Sequence, residues 1–159
     1  MSYSDAIFIL QQSIEDGSAC FADEPRWGLD LSAEQQQYLC EKRYKQPIVV
    51  MDSPKDIKTF YMRLNDDKKT VASADIILPK MGEVCGGSER EFRLGFLKER
   101  CEEFGVDFQR APWYMDLPRY GTVPLAGFGL VFERLLLLVT GLRDARDVIP
   151  FPRWAGNLR

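Results

Sequence analysis

The chain has 159 residues, 45% of them hydrophobic and 28% charged, with a net charge of -3. That is enough apolar material for one core and predicts a single domain over residues 1–159. No apolar run is long enough to span a bilayer, and Met1-Ser2-Tyr3-Ser4-Asp5 lacks the basic start and apolar middle of a signal peptide, so the expectation is a cytoplasmic protein with no membrane partner. The complete lack of histidine removes Ser-His and Cys-His nucleophilic catalysis. Cys20, Cys40, Cys85 and Cys101 are scattered without a C-x-x-C pair, which argues against a zinc site or a disulfide framework. The small negative charge offers nucleic acid no global attraction.

In chain order, Tyr3, Ile7, Leu10 and Ile14 fall at helical spacing until Asp16-Gly17-Ser18 breaks the pattern. Ser32 with Gln35 three residues on reads as a capping box opening a helix to about Lys45, which Pro47 ends. Ile48 to Met51, Phe60 to Leu64 and Val71 to Leu78 read as strands, with Asp66-Asp67-Lys68-Lys69 as a polar hairpin connection. Ser88-Glu89-Arg90-Glu91 is a second capping-box pattern, after which Phe92, Phe96, Cys101 and Phe104 trace the buried side of a helix. Pro112 to Tyr120 is ambiguous. Antiparallel strands with helices packed on one side make the predicted fold α+β.

The stretch Gly127 to Leu138 is the most informative. Read as a strand entering a helix, it puts Phe128, Leu130 and Phe132 on one face, expected to be core, and Gly127, Gly129 and Val131 on the other. Two glycines on one strand face suggest a close approach to the main chain. Glu133 and Arg134 follow in the first helical turn, and Leu135 to Leu138 are expected in the core. Arginine is poorly placed there on dipole grounds but well placed to grip an anion. Taken alone, the stretch also fits a Gly-rich core strand before a buried helix, with Arg134 paired to a carboxylate. In Gly82 to Glu91, Glu83 lies on a strand that runs through Gly86-Gly87, and the turn combines a carboxylate with close backbone access. Without further context Glu83 and Arg90 would more often be an ordinary surface pair. The other basic clusters, Lys42-Arg43, Lys68-Lys69 and Arg143 with Arg146, read as solvated faces, and no basic RNA stripe is evident.

Gly127-Phe128-Gly129-Leu130-Val131-Phe132-Glu133-Arg134 resembles motif 3 of the class II aminoacyl-tRNA synthetases. With Arg119 to Pro124, Arg143 to Arg153, Phe60 to Asp67 and Gly82 to Glu91, it resembles the asparaginyl-tRNA synthetases in particular. The resemblance implies part of a class II synthetase-like antiparallel sheet flanked by helices, covering the C-terminal part of that catalytic domain. It implies an ATP-dependent asparagine–tRNA ligase chemistry with ATP and magnesium as cofactors, and asparagine and tRNA as partners. Glu83 matches the ATP and magnesium glutamate, and Arg134 the arginine at the terminal phosphate; these are the catalytic candidates. Gly127, Gly129, Val131 and Glu133 complete the ATP-binding set. Arg90 matches the arginine that contacts the amino acid, with Gly86 and Glu89 in the same motif.

Three departures shape the expectation. Val131 stands where the family has its third glycine, Leu125 where it usually has histidine, and Glu89 where it commonly has glutamine, so that Glu89 is placed to pair with Arg90 and compete with substrate. Nothing in the chain resembles motif 1, motif 2 or the anticodon-binding domain, which implies that the chain does not aminoacylate alone and needs a homo-oligomer or a partner chain supplying motifs 1 and 2. Two readings of other classes stand beside this one: a non-catalytic paralogue acting as a binding module, and an amino-acid ligase related to asparagine synthetase.

Overall fold

The computed structural model describes residues 1–107 and 112–157. Helix α1 (Tyr3–Glu15) opens with a capping box in which Ser2 Oγ accepts from the Asp5 amide at 3.1 Å. Helix α2 (Ala33–Gln37) has the predicted box between Ser32 and Gln35 and continues as a wider turn over Tyr38–Arg43. The chain leaves that helix two residues earlier than expected because Lys45 takes a left-handed backbone, with φ 54. Strands β1 (Ile48–Met51), β2 (Ser73–Leu78), β3 (Gly82–Glu89) and β4 (Ala126–Leu130) form one antiparallel sheet in the order β1-β2-β3-β4. Helices α3 (Leu94–Glu103), α4 (Pro112–Tyr120) and α5 (Phe132–Thr140) complete the chain. The α+β expectation holds.

The core lies where α1 crosses one face of the sheet. Tyr3, Ala6, Ile7 and Leu10 are buried against Leu39, Cys40, Ile48, Val50 and Ile77. The helical period of α1 thus meets the two-residue period of β1 and β2, and the Tyr3 hydroxyl satisfies itself by donating to the Leu29 carbonyl at 2.7 Å.

Several expectations change. Phe60 to Leu64 is not a strand: only isolated bridges from Met62 to Arg90 and from Leu64 to Val71 tie it to the sheet. The second capping box does not form, because Ser88 is still inside β3 and α3 begins at Leu94. Glu91, its side chain wholly buried, is used differently. It accepts from the Leu64 amide at 3.0 Å and from the Arg93 guanidinium at 2.8 Å, while Arg93 donates to the Leu64 carbonyl at 2.7 Å. One carboxylate therefore staples the 60–65 segment to the start of α3. The face of α3 that is buried carries Leu97, Arg100 and Cys101, whereas Phe104 is exposed. Pro112 to Tyr120 resolves as a helix, consistent with proline at its first position.

The largest correction concerns the motif 3 stretch. Phe128, Leu130 and Phe132 are not core; Phe128 is 76% exposed, and of Leu135 to Leu138 only Leu137 is buried. β4 is the edge strand, and among the described residues no element covers the sheet face opposite α1. That face carries the cross-strand row Val49, Ile76, Cys85 and Leu130, with Val49, Ile76 and Leu130 exposed.

Burial pushes the Glu91 carboxyl up, but the Arg93 side chain and the Leu64 and Arg93 amides outweigh it and hold the group below the usual glutamate value. A carboxyl lowered on folding contributes stability that is complete above its unfolded value and is lost as pH falls through the folded one. Glu91→Gln is expected to cost about 3 kcal/mol at neutral pH and to flatten the acid limb of the stability curve, measured by urea unfolding between pH 3 and 7.

Candidate functional site

Strand β3 carries one residue too many. Ile76 pairs with Cys85 and Ile77 with Glu83, which leaves Val84 as an extra residue and shifts the register. Simple alternation from Gly86 would send Glu83 to the far face; the bulge returns it to the face of Gly86. On that face the rows Ile48-Ile77-Glu83, Val50-Asp75-Gly86-Gly129 and Ser73-Ser88-Gly127 run across the strands. α1 covers the β1 end of these rows and leaves the β3 and β4 end open.

Glycine at position 86 makes room for two carboxylates. A Cβ there would lie 2.7 Å from Glu83 Oε1 and 3.2 Å from Asp75 Oδ1, so both oxygens crowd one point. Lys58 donates to the other Asp75 oxygen at 2.7 Å. Burial first, and repulsion from Asp75 second, raise the Glu83 carboxyl above its ordinary value despite the attraction of Lys58 and Arg134. A close carboxylate pair with one oxygen paired to Lys58, and Glu83 lining a neighbouring cleft, suits a hard divalent cation. Among the described residues no cluster of three metal-ligating side chains exists, so ligands from substrate or water would have to complete the coordination.

Arg90 lies two residues beyond Ser88 and folds back across β4. Its Nη1 donates to Ser88 Oγ at 2.9 Å, and its Cζ sits 4.8 Å from the centre of the Tyr61 ring. A Cβ on Gly127 would come within 2.6 Å of Nη2. The close approach read from Gly127 is therefore made by the chain's own guanidinium. Arg90 has no ion pair among the described residues. Glu89 does not pair with it: Glu89 binds Arg63 at 2.6 Å, while the Arg63 amide donates to the Glu89 carbonyl at 2.9 Å. Neighbouring residues on a strand point to opposite faces, so the expected competition between Glu89 and substrate does not arise.

Gly129 differs from Gly127. Nothing among the described residues lies within 4 Å of a Cβ built there, so they leave the space above it open. Val131 follows as the exposed cap residue of α5, its amide donating to the Val84 carbonyl at 2.9 Å, and Glu133 is half-buried in the first turn. Arg134 donates from Nη1 to the Glu83 carbonyl and forms no ion pair among the described residues. Arg134 and Glu83 both line a cleft of about 370 Å3. The structure thus places Glu83, Gly86, Arg90, Gly127 and Gly129 on one face of the sheet with Arg134 beside them, and gives Glu89 a different partner. Asp75, Lys58 and Tyr61 are site residues that the sequence reading misses. For Asp75 a signal exists, a lone carboxylate inside the apolar run Val71 to Leu78.

Comparison with known proteins fits this geometry. Residues 1–155 match the family described as tRNA synthetases class II (D, K and N). The chain is 54% identical over 153 residues to the asparagine–tRNA ligase of Photobacterium profundum, covering 96% of this chain and 32% of that protein. It is 49% identical over 157 residues to the asparagine–tRNA ligase, cytoplasmic 1, of Arabidopsis thaliana, covering 99% of this chain and 27% of that protein. Its fold superposes on the asparaginyl-tRNA synthetase of Pyrococcus horikoshii, in a crystal complexed with asparaginyl-adenylate, with a TM-score of 0.86 and 38% identity over 99% of this chain and 35% of that one. The chain belongs to the class II tRNA synthetases. Within them it corresponds to catalytic-domain sequence of the asparagine–tRNA ligases and spans about a third of the length of the relatives it matches.

The two motif 3 glycines should respond differently to alanine. Neither has a positive φ, and the neighbour at Gly127 is the far end of a flexible side chain. Both variants should therefore stay within about 1 kcal/mol of wild type in stability, while Gly127→Ala displaces Arg90. The Tyr61 ring-proton and Arg90 side-chain NMR shifts, which report the guanidinium lying over the ring, should change for Gly127→Ala and not for Gly129→Ala.

Proposed function

We propose that this chain carries the ATP- and asparagine-binding face of an asparagine–tRNA ligase and does not aminoacylate tRNA on its own. The observation that carries the reading is an open glycine floor at Gly129 on a sheet face that holds the Asp75–Glu83 pair and two guanidiniums, Arg90 and Arg134, neither of which forms an ion pair among the described residues. Gly129 forms the wall for the adenosine, with Val131 and Glu133 at its margin and Gly127 ceding its space to Arg90. Arg134 takes the terminal phosphate, where a charge-assisted contact offsets charge that develops on adenylate formation. Glu83, with Asp75, would hold magnesium, which when bound neutralises triphosphate charge. Arg90, oriented by Ser88 and Tyr61, addresses the polar end of asparagine across Gly86.

In-line displacement at phosphorus depends on positioning and charge stabilisation. Two arginines and one carboxylate pair supply part of both. The uncovered apolar face opposite α1, with β4 at the edge, supports a covering surface from a second copy or a partner chain that brings the remaining motifs. The alternative of a non-catalytic binding module rests on Val131, whose methyl groups stand where the family's third glycine would leave room; Glu89, bound to Arg63, no longer supports it.

Titration calorimetry with a non-hydrolysable asparaginyl-adenylate analogue tests the proposal. The chain should bind it in preference to the aspartyl analogue. Arg90→Ala and Arg134→Ala should each weaken binding by roughly tenfold or more, and Val131→Gly should strengthen it by roughly tenfold. Asparagine-dependent pyrophosphate exchange should be undetectable for the chain alone. Equal affinity for both analogues, or binding indifferent to both arginines, would overturn the reading.

A further inference from the structure

The turn between β2 and β3 is held in an unfavourable form. Lys80 has φ 65, a left-handed backbone that side chains other than glycine rarely adopt, and Gly82 follows at φ 69. Strain of this kind persists only where the surroundings impose it. Here the constraint is visible: the Lys80 amide donates to Glu41 Oε1 at 2.6 Å, and the same oxygen accepts the Gln37 side-chain amide at 3.1 Å. The helix that begins after Ser32 therefore fixes the turn through a carboxylate aimed at one backbone N–H.

That turn forms a wall of the cleft of about 370 Å3 that Glu83 and Arg134 also line, with Gln36 and Gln37 opposite. Lys80 and Arg134 come from separate elements, and neither has an ion-pair partner among the described residues. Glu83 is the acidic side chain in the lining. The cleft thus gathers two cations against one carboxylate. A single carboxylate would not need both cations or this volume. A chain of phosphates, with several charges spread over a few ångströms, would use an ammonium as a point charge beside a guanidinium fork.

We propose that Lys80 is a second polyphosphate-binding residue, acting with Arg134 on the terminal phosphates of a nucleoside triphosphate and on released pyrophosphate. The inference rests on the proposed ATP site and adds a residue and an anion subsite to it. The strained turn and its Glu41 anchor hold Lys80 at the cleft wall, so part of the positioning is complete before the ligand arrives.

The test is calorimetric titration of the whole chain with ATP, AMP and inorganic pyrophosphate. Lys80→Ala should weaken ATP and pyrophosphate by roughly tenfold and leave AMP within about twofold, while Lys80→Arg retains most of the affinity. Lys80→Gly separates side chain from backbone: relief of the left-handed strain should raise its melting temperature, yet its pyrophosphate affinity should fall like that of Lys80→Ala. If ATP binds and Arg134→Ala weakens it but Lys80→Ala does not, this inference fails and the proposed function stands. If Lys80→Ala weakens AMP as much as ATP, the assignment to the terminal phosphates is wrong. If wild type binds neither ATP nor pyrophosphate, the proposed function fails and takes this inference with it.

Discussion

One extra residue in β3 decides which face of the sheet Glu83 occupies. Without the bulge at Val84, Glu83 would face away from Asp75 and Gly86, toward the sheet face that carries Ile76 and Leu130. With it, two carboxylates share the space left by a missing side chain at Gly86. A second consequence follows at the strand's edge, where the Val84 carbonyl accepts the Val131 amide and the Glu83 carbonyl accepts Arg134. The bulge thus aligns the start of α5 with the carboxylate pair. Crowding two acids is unfavourable, and Lys58 on Asp75 offsets part of it. What remains is a crowded acidic pair whose repulsion a cation would relieve.

The glycines of the site serve three purposes that composition alone does not separate. Gly86 admits carboxylates, Gly127 admits the chain's own Arg90, and Gly129 admits nothing from the described residues. Only the third behaves as a floor left free for a ligand. Gly87, on the opposite face, is tight for another reason: a Cβ there would lie 3.0 Å from the Gly127 carbonyl oxygen and from Phe128 Cβ, so it lets β3 and β4 pack at that point. Substitution tolerance should follow these neighbours rather than the label of a glycine-rich motif.

Much of this is legible in the sequence, and the failures have physical causes. The helix over Tyr3–Glu15, the capping box at Ser32 and strand β1 follow from periodicity and end signals that depend on near neighbours. Ser88 to Glu91 has the letters of a capping box, but the β3–β4 ladder keeps Ser88 in the strand, and Glu91 is taken by Arg93 and Leu64. Phe60 to Leu64 has strand-like composition yet serves as a strap, holding Tyr61 under Arg90 and Arg63 on Glu89. The apolar run from Phe128 to Leu138 reads as core because hydrophobicity reports the need for cover without saying what provides it. Asp75 needs the register, and the register needs the bulge.

The bulge brings Glu83 and Asp75 into one electrostatic unit. Carbon-13 detected titration of the Glu83 side-chain carboxyl measures this directly in the intact chain. Glu83 is predicted to titrate above the ordinary glutamate value, to move down in Asp75→Asn where the repulsion is gone, and to move up in Lys58→Met where the compensating cation is gone. Because its folded value is raised, ionising Glu83 destabilises the native state: stability is lost as pH rises from the unfolded value through the folded one, and a divalent cation should restore it. A Glu83 carboxyl that titrates at the ordinary value and ignores both substitutions would contradict the account.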